Sequence, residues 1–265
     1  MSFSISRKLS LLHHNQEINM KLIIIIIIII ILFSISLVYG QSNKNLTVGY
    51  GDRYDSLPKL KFKTAAAENY EKVFSANTIV NIGPAVEKKN LVISTGKGKL
   101  KFKKYDSSSG QGDGFRGWEY NGYFPQLKMH ILVSHHVAES LGFSDLVLLD
   151  SIEGSQHTIA SIGDGAVEIP IPSPDGQFLA YYYNQVYAPN SCFIGILEVK
   201  KGIPLRIRLS EYSSFQTENW AVENIRWIDQ DILIVKAYTL KKVGNERSKQ
   251  FTYYTAELNN KRDIK

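Results

Sequence analysis

Residues 171–183, IPSPDGQFLAYYY, decide how this chain is read. Pro174 presets φ at the first corner of a turn, Asp175 suits the second and Gly176 closes it. Residues 178–183 are aromatic and apolar, the composition of a buried strand, so the stretch is a β-hairpin. Residues 222–235, VENIRWIDQDILIV, answer it 51 positions later, counted from Ile171 to Val222. A second kind of hairpin alternates with the first: residues 146–159, LVLLDSIEGSQHTI, and 193–209, FIGILEVKKGIPLRIRL, share a strand, Gly-containing turn, strand layout with a spacing of 47.

Working outward, residues 91–95, 100–104, 124–134, 145–150, 177–183, 193–199, 205–209, 222–227, 232–238 and 251–258 all read as short strands bounded by turn residues. Four strands per unit at a period near 50 is the pattern of propeller blades. Ser173-Pro174-Asp175-Gly176 followed by Gln177, Phe178, Leu179 and Ala180 resembles the SPDG-x-x-[LI]-A turn of TolB-like and WD40-like propeller repeats, and Asp150 to Gly154 resembles their D-x-x-x-G turn. The matching turn at Trp227-Ile228-Asp229-Gln230 is degenerate. The resemblance covers roughly residues 118–258. It implies a mainly β fold of antiparallel propeller-like repeats, short or incomplete, and transfers no catalytic residue. One short N-terminal helix is expected over residues 64–74, TAAAENYEKVF, where Ala66, Tyr70, Val73 and Phe74 fall near one face.

The N-terminus reads as a targeting segment. Lys21 precedes Leu22, nine isoleucines and Leu32-Phe33, an apolar run that Ser34 and Ser36 dilute before Val38, Tyr39 and Gly40. That is a signal peptide over residues 20–40, cleaved near Gly40, with Met20 as a natural start and residues 1–19 a dispensable extension. The rival reading is an uncleaved anchor, since residues 22–38 reach the lower edge of a bilayer span. On the first reading the product is secreted or periplasmic and not stably inserted in a membrane. Residues 41–58 form a loosely ordered lead-in, with an Asn45-Leu46-Thr47 glycosylation sequon, and residues 59–265 a single β-rich domain.

Composition narrows the function classes. Taking Arg7, Lys8, Lys21 and Glu17 from 31 basic and 25 acidic residues leaves 28 against 24, a mild excess that implies no nucleic acid. The single cysteine, Cys192, lies in an apolar run and reads as a buried hydrophobe. His135, His136 and Glu139 are the nearest approach to a metal cluster, but no HExxH or CxxC spacing is present, and neither metal nor cofactor is expected. No GxSxG or SxxK pattern marks a nucleophile.

Two features remain as candidate sites. The Gly-rich run 109–123, SGQGDGFRGWEYNGY, sets Asp113, Arg116, Trp118, Glu119 and Tyr120 together in what reads either as a ligand-binding loop or as a crossing whose Trp118 and Tyr120 begin a strand. KLKFK occurs twice, and strand alternation puts Lys59, Lys61 and Lys63, and again Lys99, Lys101 and Lys103, on one face each; the alternatives are a basic binding face or lysines solvating edge strands. The function expected is a monomeric, non-catalytic binding module for a protein or glycan. The alternative is a secreted hydrolase or carbohydrate-active enzyme working near residues 109–123, which would need Asp113 and Glu119 to converge on a cleft.

Overall fold

The computed structural model describes residues 46–49, 55–73, 79–108, 112–202, 206–243 and 246–258. The extension, the signal segment, most of the lead-in, Asn45 of the sequon and residues 109–111 lie outside them. The chain is mainly β. Its elements are β1 (Leu46–Val48), β2 (Lys63–Ala65), α1 (Ala67–Glu71), β3 (Ala85–Glu87), β4 (Asn90–Thr95), β5 (Gly98–Lys103), β6 (Gly114–Phe124), β7 (Met129–Ala138), β8 (Leu141–Asp150), β9 (Gln156–Ile159), β10 (Ile171–Pro172), β11 (Phe178–Asn184), β12 (Cys192–Gly202), β13 (Arg206–Thr217), β14 (Ala221–Trp227), β15 (Ile232–Val243) and β16 (Glu246–Glu257).

These strands make four sheets taken in chain order. The first is β3-β4-β5, the second β6-β7-β8-β9, the third β10-β11-β12-β13 and the fourth β14-β15-β16. Every consecutive pair is antiparallel, as expected of strands joined by short turns. The turn at Ser173 shows why its sequence matters. The Ser173 hydroxyl donates to Asp175 Oδ1 at 2.7 Å and accepts from the Phe178 N–H at 2.9 Å, while the Gly176 N–H reaches Ser173 O at 2.8 Å. Gly176 closes the turn at φ +66°, a conformation that favours glycine. The Asp150 turn works similarly: Asp150 Oδ1 accepts from the N–H groups of Ile152 and Glu153 at 2.7 and 3.1 Å.

The middle sheets are apolar on both faces, and alternation along each strand sorts side chains to different partners. Leu132, Val147 and Leu149 meet Leu91, Ile93 and Phe102 of the first sheet. Their neighbours Ile131, Leu146 and Leu148 turn the other way, toward Leu179, Tyr181 and Phe193 of the third. From the third sheet, Phe178, Ala180, Ile194 and Ile196 face Trp227, Leu233 and Val235 of the fourth. A one-residue slip in β7 or β11 would exchange two cores at once, so the register is strongly specified. Two polar links fasten the third sheet to the fourth. The Asn184 side chain both donates to Val222 O at 2.7 Å and accepts from Val222 N–H at 2.8 Å, and Trp227 Nε1–H donates to Ile171 O at 2.9 Å.

The N-terminal segment crosses the outer edges of three sheets in turn. β1 adds in parallel to β9 of the second sheet. Leu60 N–H and Pro58 O then bond Ser214 on β13 of the third at 3.0 and 3.1 Å, and β2 pairs with β16 of the fourth. Phe62 wedges between sheets, with its ring 4.6 Å from Phe215 and 5.7 Å from Trp220. After β2 the chain turns onto the outer face of the fourth sheet, where the Arg226 guanidinium lies 3.9 Å from the Tyr70 ring and donates to the carbonyls of Tyr70 and Val73.

Some sequence expectations are corrected. Residues 124–134 are not one strand: β6 ends at Phe124, a turn intervenes and β7 begins at Met129. The helix is shorter than residues 64–74, because Thr64 belongs to β2; among the described residues only Ala67–Glu71 is helical, and Phe74 lies outside them. Leu46–Val48, within the segment read as a loosely ordered lead-in, form a strand because β9 offers them an unpaired edge.

Candidate functional site

Trp118, Glu119 and Tyr120 lie on a strand, not a loop. β6 is the edge strand of the second sheet and carries two β-bulges, between Phe115 and Gly117 and between Tyr120 and Gly122. Bulges re-aim the side chains of an edge strand. Gly117, at φ +141°, allows a second chain segment to approach: a Cβ there would stand 2.7 Å from Lys104 O and 2.8 Å from Tyr105 Cα. Tyr105 N–H accordingly bonds Trp118 O at 2.8 Å. Farther along, Val80 and Tyr123 exchange backbone bonds at 3.0 and 2.9 Å.

The segments at Val80 and Tyr105 thus cover β6 at two points, and a cleft of about 600 Å³ opens between them. Its lining combines residues 81–91, among them Asn81, Val86 and Leu91, with Lys104, Tyr105, Trp118, Glu119 and Tyr120. Trp118 is anchored from behind by Phe102, with ring centroids 5.2 Å apart, and flanked by Phe115 at 5.8 Å. Val86 (57% exposed) and Phe115 (48% exposed) leave apolar surface at this end of the molecule.

Tyr105 stacks on His135 with centroids 3.9 Å apart, and His135 Nε2 lies 3.3 Å from Glu119 Oε2. Behind that wall is a smaller hollow of about 330 Å³ containing Arg116, His136, Phe143 and Asp164. Tyr120 and the buried His130 share a hydrogen bond of 3.3 Å between the phenol oxygen and Nδ1. Desolvation raises the Tyr120 phenol to about 12, with Tyr123 adding to the effect, and burial lowers His130, so both groups are neutral near pH 7.

Of the candidate residues, Trp118, Glu119 and Tyr120 share the cleft, Arg116 borders the adjoining hollow, and Asp113 belongs to neither. Its carboxylate accepts the Ser140 N–H at 3.1 Å, in the turn between β7 and β8. Six residues of strand put it on the order of 20 Å from Glu119. The Glu119 side chain is 54% exposed. The two carboxylates do not share a pocket.

His135 and His136 are adjacent on β7, hence on opposite faces, and Glu139 is in the following turn at φ 51°. Among the described residues no group of three or more His, Cys, Asp or Glu is placed to hold a metal ion. Cys192 is buried, and desolvation raises its thiol to about 12.

The two KLKFK segments alternate as expected, with lysines exposed and Leu60 and Phe102 buried, but they occupy different sheets. Lys59 donates to Ser214 Oγ at 3.1 Å on the third sheet, and Lys63 is on β2 of the fourth. Lys99, Lys101 and Lys103 line β5, the edge of the first sheet, where Lys101 lies 2.8 Å from Glu87. That contact holds the Glu87 carboxyl below its ordinary range.

Sequence reasoning missed Tyr105, Asn81 and Val86, and weighed His135 only as a metal ligand. The signal available was Gly117: a glycine inside a strand pattern marks a place where another backbone comes close. No protein-family model, curated protein or solved structure matches this chain.

Proposed function

We propose that the domain is a non-catalytic binding module, secreted or periplasmic after loss of residues 1–40, and that its ligand is a glycan or an extended peptide. The observation that carries this is the cleft between the first and second sheets. Tyr105, Trp118 and Tyr120 offer aromatic faces, and Glu119, Lys104 and Asn81 add charged and amide groups. Aromatic walls with a few polar groups are the usual means of binding sugar rings or side chains without chemistry.

We further propose that the four sheets are blades of a short, open propeller. Their chain-order succession, face-to-face contact and repeat near 50 residues support this, as does completion of the last sheet by β2. The enzymatic alternative draws little from the geometry, because Asp113 stands apart from Glu119.

The test is a titration of the isotope-labelled protein with oligosaccharides and unstructured peptides. Binding should shift amide resonances at residues 81–86, 104–105 and 118–120, and Tyr105→Ala should weaken it about tenfold while circular dichroism stays unchanged. If ligands of both classes leave these resonances unmoved, the cleft is not the site.

A further inference from the structure

The outer face of the fourth sheet carries charge in an order that guarding an edge does not explain. Leu233, Val235 and Ala237 of β15 pack toward the third sheet, so alternation turns Lys236, Tyr238 and Lys242 outward. β15 and β16 stay in register without a bulge to the end of their hairpin, which sets Tyr238 opposite Phe251 and Lys242 opposite Arg247 and brings Lys249 to the same face. β14 stops at Ala221, opposite Tyr238, so residues 239–243 and 246–250 run on beyond it as a two-stranded ribbon. At its root the Leu240 N–H donates to Asn190 Oδ1 at 2.7 Å.

The aromatic rings on this face hold cations in place. Lys249 Nζ stands over the Tyr238 ring, 4.2 Å from its centroid, and Lys236 Nζ over the Phe251 ring at 4.4 Å. Lys236 is paired through its backbone with Asn224 on one side and Tyr253 on the other, so it guards no edge. Lys242 and Arg247 are both exposed and directly opposite, an arrangement of like charges that costs stability, and among the described residues no carboxylate pairs with either. Glu246 and Lys241 alternate to the other face, and Glu223 is engaged with Lys249. From Lys236 to Lys242 the row of cations covers on the order of 20 Å, the length of six strand residues.

We propose that this ribbon face is a docking track for a linear acidic polysaccharide, whose sulfate or carboxylate groups meet Lys236, Lys249, Arg247 and Lys242 in succession. Charge complementarity carries it: an anion seated between Lys242 and Arg247 turns their repulsion into a shared attraction. Single-stranded nucleic acid is held by aromatic faces on which bases stack, but here a lysine ammonium sits on the Tyr238 ring and another on the Phe251 ring. A membrane surface calls for apolar side chains that reach past the charges, whereas these rings carry the charges on their faces. The track shares no residue with the cleft at Trp118, so Tyr105→Ala leaves it intact and the two readings fail separately.

The isotope-labelled protein is titrated with a heparin oligosaccharide, an oligogalacturonate and a maltooligosaccharide of equal length, and in parallel with oligothymidylate and phosphatidylserine vesicles. Both acidic sugars should shift amides at residues 236–242 and 247–253, bind at least about tenfold tighter than the neutral one, and weaken on the order of tenfold from about 50 to about 200 mM salt. Tighter binding of the heparin fragment identifies sulfate as the anion recognised, and tighter binding of the galacturonate a carboxylate. Lys242→Gln combined with Arg247→Gln should weaken the acidic sugars about tenfold without lowering the thermal midpoint, because it removes opposed like charges; Lys241→Gln, on the other face, should change affinity less than about twofold. Acidic and neutral sugars bound equally or not at all, shifts confined to the Trp118 cleft, a double variant no weaker than Lys241→Gln, or tighter binding of oligothymidylate or the vesicles would overturn the proposal.

Discussion

Ser173 shows how much one hydroxyl holds in this fold. Its oxygen accepts from Phe178 N–H and its proton goes to Asp175, both in a buried turn. Ser173→Ala should cost about 2 kcal/mol, measured by urea denaturation, because the Phe178 N–H loses its acceptor. His157 acts through pH. It is buried beside Asp150 with neither ring nitrogen hydrogen-bonded, and desolvation lowers it to about 4 against Asp150, which favours the imidazolium. A folded-state value below the unfolded one means that the unfolded chain binds the proton first. The stability due to neutral His157 is therefore complete above about pH 6.5 and is lost as pH falls through 4, on the order of 3 kcal/mol. Thermal midpoints from pH 7 to 4 should fall more steeply for the wild type than for His157→Phe; parallel curves would refute this.

Among elements, β6 is the most consequential, since its irregularities make the cleft. Gly117→Ala would force a Cβ to within 2.7 Å of Lys104 O at a φ that L residues avoid. We expect a loss of about 2–4 kcal/mol and displaced Tyr105 resonances, whereas Gly98→Ala, which meets nothing within 4 Å, costs only its φ penalty. The hairpins at residues 171–183 and 222–235 were legible in the sequence, because turn chemistry and alternation are local. β1 and β2 were not: three residues each, they are strands only because β9 and β16, some hundred and more positions away, present unpaired edges. The candidate site was half legible. Trp118, Glu119 and Tyr120 could be named, but the residues opposite them come from elsewhere in the chain, and no local pattern reveals which backbone will lie beside Gly117.

For the whole molecule, stability should be graded along the stack. The second and third sheets are covered on both faces, whereas the first has strands of three to six residues and packs on one neighbour through a small core. Amide exchange in β4 should therefore be at least about tenfold faster than in β7 or β12. Equal protection in all three would mean that the sheets open as one cooperative unit.

The segment that crosses three sheet edges also imposes an order of events. During synthesis β1 and β2 emerge long before the strands that will receive them, and the acceptor of β2 is the last of the described strands. Local hairpins can close as they appear, and β1 can join β9 and residues 58–60 can join β13 once those strands exist, but β2 has no partner until β16 is made. A nascent chain that has not yet made β16 therefore carries two unsatisfied halves of one sheet, and what keeps the growing chain from joining its neighbour is the speed with which β2 finds β16.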